Sequence, residues 1–140
     1  MKIANDLEVG DHAVNIAEEL RWLLQASPFP VLPEFEEIAR IATDMLSEAL
    51  NAFIRSDSAE ARAAVMLDDR VDELHGNNFR ILLTHMMEDP RKITAGMDLL
   101  LVSGNLERIA DLATNVAEEV VLFVEGRTIK HHAEEKAAAG

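Results

Sequence analysis

Residues 106–125, LERIADLATNVAEEVVLFVE, decide how this sequence folds. In and just before this stretch, Leu99, Val102, Leu106, Ile109, Ala113, Val116, Val120 and Phe123 recur at spacings of three and four. That rhythm lays one apolar stripe along a long helix, and the stripe demands partner helices to cover it. Glu107, Asp111 and Glu118 share a second stripe on another flank, because side chains four and seven apart stack along a helix. One helix therefore offers a packing face and a carboxylate face.

Working outward, Asp89-Pro90 gives the start of this last helix, with aspartate at the cap and proline in the first turn. The helix is expected to run through Ile93 and Met97 to Gly126, about 36 residues or roughly 54 Å. After Gly126 the stripe is lost, and residues 128–140 read as a frayed tail. Upstream, Asp57 or Ser58 caps a helix reaching to about Met87, with Glu60 placed as in a capping box. Ala64, Leu67, Val71, Leu74, Ile81 and Leu82 form its core face. Gly76-Asn77-Asn78 weakens its middle, by roughly 1 kcal/mol for the glycine alone, and marks a place for a kink or tight packing. Another helix spans residues 34–55, with Ile38, Ala42, Met45, Ala49, Ala52 and Phe53 on its stripe. Short turns join these segments, so residues 34–127 read as an antiparallel three-helix bundle.

Before the bundle, the prolines of residues 28–33 form a linker, since proline disfavours helix in the residue preceding it. Residues 1–27 hold a further N-terminal helix, with Val9, Ala13, Ile16, Leu20, Leu23 and Leu24 on its apolar side. Aligned without gaps, residues 9–24 match 109–124 at Asp11/Asp111, Ala13/Ala113, Asn15/Asn115, Ala17/Ala117, Glu18/Glu118 and Glu19/Glu119. The two segments read as duplicates. Upstream of Val9 the match needs one residue dropped, which rotates Glu8 by roughly 100° about the helix and degrades that copy of the acidic motif.

Composition bounds the rest. The 140 residues are 49% hydrophobic with only six glycines and four prolines, which suits one all-α domain with a real core. Twenty-six acidic against 13 basic residues give a formal charge of -13, which repels nucleic acid and anionic lipid and favours cations or basic protein surfaces. The absence of cysteine excludes disulfides and thiolate metal sites. No apolar run of about 18 residues and no signal-peptide pattern occurs, so a cytoplasmic protein is expected.

Glu107-x-x-x-Asp111 places two carboxylates one turn apart, a half-site for cations that take oxygen ligands. Exposed helices carry such pairs without metal, so the pair alone is weak. A second cluster, Asp68, Asp69, Asp72 and Glu73, sits on the neighbouring helix, and an antiparallel bundle brings the two clusters near each other. Juxtaposed carboxylates repel unless a cation or protons join them. Asp72-x-x-His75 resembles half of a di-iron motif, but such sites need the motif on two helices, so His75 reads as a surface histidine. His131-His132 reads as incidental, Trp22 as a packing residue, and Met86-Met87 as core filler. Asn15 and Asn115 are open to either an interhelical bond or water. No phosphate loop, nucleophile elbow or Ser/His/Asp arrangement is present, so no catalytic step is indicated.

Four motifs in order, NDLEVGDHAVNIAEE, DDRVDELH, MMEDPRKI and NLERIADLATNVAEE, resemble the PhoU family of phosphate-transport accessory and regulatory proteins, over about residues 3–126. The resemblance implies paired three-helix bundles arising by duplication, with acidic E/D-x-x-x-D motifs that hold iron, zinc or similar metals. It implies a negative regulator acting through the ATPase of a phosphate ABC transporter and a phosphate-sensor histidine kinase. Carried over by position, the metal ligands are Asp69, Asp72, Glu107 and Asp111. Asp68 and Asn115 are lesser candidates, and Glu8 and Asp11 are the remnant of a first-bundle site. A full member has six helices and this chain resembles the third to sixth. Val9, Ile16, Leu20 and Leu23 are thus expected to lack cover in a monomer, which favours a dimer or other homo-oligomer. The expectation is an all-α PhoU-like regulator working by protein contact. The alternatives are a di-metal carboxylate enzyme and a purely structural dimerisation module.

Overall fold

The computed structural model describes residues 12, 15, 16, 18, 19, 29 and 32–139. No strand occurs among the described residues. Helix α1 (Pro33–Arg55) opens with proline at its start and with Glu34 and Glu36 near its positive end. It closes where Ser56 takes a left-handed conformation (φ 54°), returning its own N–H to the Phe53 carbonyl and that of Asp57 to the Ala52 carbonyl. The Asp57 carboxylate then caps α2 (Ser58–Val65), accepting from the Ala59 and Glu60 N–H groups at 3.0 and 3.1 Å. Helix α3 (Asp68–Glu88) follows, and then a single 3-10 turn (Pro90–Lys92) capped by Asp89, which leads into α4 (Ile93–Ala139).

With α2 and α3 joined end to end as the middle rod, α1, α2/α3 and α4 make the expected antiparallel three-helix bundle. Ile38, Met45, Val71, Leu74, Leu82 and Val102 are fully buried at its centre. Alanines at 42, 49, 52, 61, 64 and 113 have no exposure, which lets the rods approach closely. The three-four stripes therefore mark the core, with two exceptions at their ends. Phe53 and Phe123 are 44% and 65% exposed, because the bundle tapers where α1 stops.

Three sequence expectations need correction. The single helix expected from Asp57 to about Met87 breaks at Met66-Leu67. There the Leu67 N–H bonds Ala64 O and the Arg70 N–H bonds Leu67 O, a local tightening to three-residue steps. The break puts Asp68 and Asp69 in a helix's first turn, where carboxylates favour the dipole and their poor interior propensity costs little. The helix then passes through Gly76-Asn77-Asn78 unbroken, with Asn78 wholly buried. Second, the segment read as a frayed tail is helical to Ala139, with residues 130–139 exposed. Its Ala, Glu, Lys and Arg residues favour helix, and nothing after Gly126 breaks one.

Third, Ile16, expected to lie uncovered, is 9% exposed and belongs to the core cluster. The described residues of the N-terminal segment, His12, Asn15, Ile16, Glu18 and Glu19, are helical. Val9, Leu20, Leu23, Trp22 and most of the proline linker fall outside the described residues. Phe29, from that linker, lies edge-on to His85 at 5.5 Å and under Lys92 Nζ at 5.6 Å.

Candidate metal centre

Register along the α3–α4 seam decides which carboxylates meet. Asp68 and Asp72 stand one turn apart on α3, and Asp111 projects from α4 opposite them. One carboxylate oxygen from each lies within 4.8 Å of the others. Asp68 is half-buried, while Asp72 and Asp111 are exposed at the rim. None of the three is in an ion pair with a basic side chain among the described residues. Arg70, the basic residue between them in sequence, is instead bonded to Glu37 Oε1 at 2.7 Å and to Glu73 at 2.8 Å.

The electrostatics follow from this crowding. Burial, then the charges of Asp72, Asp111 and Asp69, push the Asp68 carboxyl above the ordinary carboxylate range, while the Thr114 hydroxyl acts in the opposite direction. Burial, then Glu107 and Asp72, push Asp111 up in the same way, against a smaller lowering by Asp68. Even so, Asp68 Oδ1 and Thr114 Oγ1 are both buried without a hydrogen-bond partner of normal geometry. Asp68 thus has a buried carboxylate oxygen without a partner and an oxygen within 4.8 Å of two further carboxylates, and no basic side chain pairs with the three among the described residues; such a donor set suits a metal ion taking oxygen ligands.

The sequence-predicted residues divide accordingly. Asp72 and Asp111 are in the group, and Asp68, ranked as a lesser candidate, joins them. Asp69 is exposed and rotated roughly 100° from Asp68 on the helix, so it influences the group only through its charge. Glu107 raises the Asp111 carboxyl through space, but its own carboxylate is engaged by His75 Nε2 at 3.2 Å. Asn115 is exposed outside the group, as are Asn15 and Glu118. Glu8 and Asp11 lie outside the described residues. Position alone held the signal for Asp68. Asp68-x-x-x-Asp72 has the same one-turn spacing as Glu107-x-x-x-Asp111, whereas Asp69 and Asp72 do not.

A buried polar chain supports the seam next to the carboxylates. His75, expected on the surface, is half-buried, with Nδ1 2.8 Å from Ser103 Oγ. Asn78 donates to the same oxygen at 3.4 Å. Ser103 and Asn78 are fully buried. Serine, histidine and glutamate thus stand in a line, but no substrate reaches a hydroxyl with zero exposure, and the line serves to fix α3 against α4. His131 pairs with Glu135 at 3.1 Å on the exposed end of α4, far along the helix from this site.

Comparison with known proteins places this bundle. The family model for the PhoU domain matches residues 35–120, more than half of the chain. A phosphate-specific transport system accessory protein PhoU homolog of Zymomonas mobilis is 40% identical over 131 residues, covering 91% of this chain and 54% of that protein. The homolog named likewise in Aquifex aeolicus is 39% identical over 137 residues, covering 96% and 62%. The crystal structure of PhoU from Pseudomonas aeruginosa superposes with a TM-score of 0.83 at 34% identity, over 89% of this chain and 60% of that one. The chain thus spans little more than half the length of the curated relatives it matches. The PhoU phosphate transport system regulatory protein of Streptococcus pneumoniae, at 24% identity and a TM-score of 0.73, shares the fold. With the family model covering all three rods and relatives aligned along nearly the whole sequence, the chain belongs to the PhoU family.

Proposed function

We propose that this chain is a regulatory accessory of a phosphate transport system, acting by protein contact and carrying a metal ion at Asp68, Asp72 and Asp111. The observation that carries the reading is the close superposition of this bundle on a PhoU structure, joined to relatives named as phosphate-specific transport system accessory proteins. The partners implied are the ATPase of a phosphate ABC transporter and a phosphate-sensor histidine kinase, both of which would be restrained when phosphate is plentiful. A homo-oligomer and a cytoplasmic location fit the same role. No described helix is long and apolar enough to cross a membrane, which agrees with an accessory that meets its transporter at the surface.

The metal, iron or zinc, would relieve repulsion among the three carboxylates and tie α3 to α4. Glu107 is placed one turn before Asp111 to join them if His75 releases it. The role is tested in a bacterial strain lacking its own PhoU protein, by measuring a phosphate-starvation reporter in phosphate-rich medium. Expression of this chain is expected to restore repression. A reporter that stays derepressed despite soluble, helical protein in the cells would count against the regulatory reading.

A further inference from the structure

At the end of the bundle where α1 stops and α4 runs on, two cavities open against the same residues. The larger, about 690 Å³, is walled by Leu50 and Phe53 of α1 and by Val116, Val120 and Phe123 of α4. The smaller, about 530 Å³, shares Ser56, Phe123 and Val124 with it and is lined further along α4 by Arg127, Lys130 and His131. The two form one groove with an apolar end and a cationic end. Each part is within the size range of small-molecule sites, roughly 300–1,000 Å³. Its existence follows from the corrected fold: only because α4 stays helical past Gly126 do Arg127 and Lys130 line up beyond Phe123.

We propose that this groove binds a free, single-chain anionic amphiphile of the fatty-acid class. The acyl chain lies along Val116, Val120 and Phe123 against Leu50 and Phe53, and the carboxylate meets Arg127 and Lys130. Leu50 and Phe123 keep 42% and 65% of their surface exposed, so a methylene chain there removes apolar area from water. His131 is engaged with Glu135, whereas Arg127 and Lys130 have no carboxylate at ion-pair distance among the described residues. Glu119 at the apolar end and Glu134 at the cationic end are the acidic groups of the lining. Glu119 stands in a lining without Arg or Lys, whereas Glu134 is outnumbered by Arg127 and Lys130, so the head group is directed to the cationic end. A formal charge of -13 disfavours an anionic bilayer as the occupant, because it brings an extended negative surface against the whole molecule. A single anionic head needs only the two cations that are there.

The test is calorimetric titration of the full chain with octanoate, decanoate and dodecanoate below their micelle concentrations, with dodecyltrimethylammonium as the opposite-charge control. Saturable one-to-one binding is expected, tightening about tenfold for each two methylenes added. The cationic control is expected to bind at least about tenfold more weakly than dodecanoate. Arg127→Glu with Lys130→Glu should weaken dodecanoate by a similar factor, and Phe123→Ser should weaken both probes. All three positions are exposed, and the neutral pair Arg127→Gln with Lys130→Gln serves if charge reversal disturbs the helix. The proposal is overturned by any of three results: no saturable binding of dodecanoate, equal affinity for the cationic probe, or binding unchanged in both charge variants. Association with phosphatidylglycerol vesicles without binding of monomeric dodecanoate would also overturn it, assigning the groove to a membrane surface.

Discussion

Replacing Asp111 with asparagine nearly preserves the side chain's size while removing one of three negative charges crowded at the α3–α4 seam. The relevant oxygens lie within 4.8 Å of one another. At that separation two unit charges repel by roughly 1 kcal/mol in water and about 3.5 kcal/mol at an effective dielectric of ~20. Because Asp72 and Asp111 are exposed, the aqueous end of the range applies. Asp111→Asn removes two such pairs, so the metal-free protein should gain about 1–2 kcal/mol. With an unfolding entropy of about 2.1 cal/mol/K per residue, this chain changes by about 0.3 kcal/mol per kelvin near Tm, which makes the expected rise about 3–7 °C. Metal reverses the order. An ion present at about 100 times its Kd stabilises the wild type by roughly 2.7 kcal/mol, or about 9 °C, and the variant by little. The assay is thermal unfolding followed by helical circular dichroism at neutral pH, first in chelator and then with zinc or ferrous iron. If the variant melted below the wild type in chelator and kept the full rise with metal, the carboxylate account would be refuted.

The same site sets a pH dependence. Asp68 and Asp111 have carboxyls raised above the ordinary value of 3.8, so between that value and their folded ones the native state binds more protons than the unfolded state. Their contribution to metal-free stability therefore falls as pH rises through that window, and urea titrations should show this fall in the wild type but not in Asp68→Asn with Asp111→Asn. Two glycines in helix interiors should respond oppositely to alanine. At Gly76 nothing lies within 4 Å of an added Cβ, so Gly76→Ala should stabilise by about 0.5–1 kcal/mol. At Gly96 the Cβ would sit 2.7 Å from Met86 Cγ and Sδ, so Gly96→Ala should destabilise by about 1 kcal/mol or more after its helix-propensity gain; a raised Tm would contradict the packing described. Ser103→Ala strips His75 and Asn78 of their shared oxygen inside the seam and should cost about 1–3 kcal/mol. A loss under about 0.5 kcal/mol would place that chain of bonds outside the stability of the seam.

The bundle was legible because its stripes are long and uninterrupted. Ile38, Ala42, Met45 and Ala49 on α1, and Val102, Leu106, Ile109 and Ala113 on α4, are the core positions that the three-four rhythm selects. What periodicity does not carry is the rotation of one helix against another. The roles of Asp68 and Asp69 depend on a phase difference of one residue, set where α3 begins after the break at Leu67, and no proline or glycine marks that break in the sequence. His75 was illegible for a similar reason. Its partners Ser103 and Glu107 come from another helix, and a histidine beside aspartates looks the same in one dimension whether it faces water or a buried hydroxyl. The helical end of α4 was a question of propensity against packing. Composition favoured helix there, but the stripe, which normally reports helix, had ended.

Elemental mass spectrometry on size-exclusion fractions of tag-free protein tests most directly whether Asp68, Asp72 and Asp111 form one metal centre in this PhoU-family bundle. Wild-type protein purified from cells, or reloaded after chelation, should carry near-stoichiometric iron or zinc that co-elutes with the folded species, and Asp111→Asn should lose most of it. Equal metal in the variant, or none in a wild type that is folded and reloaded, would contradict the account.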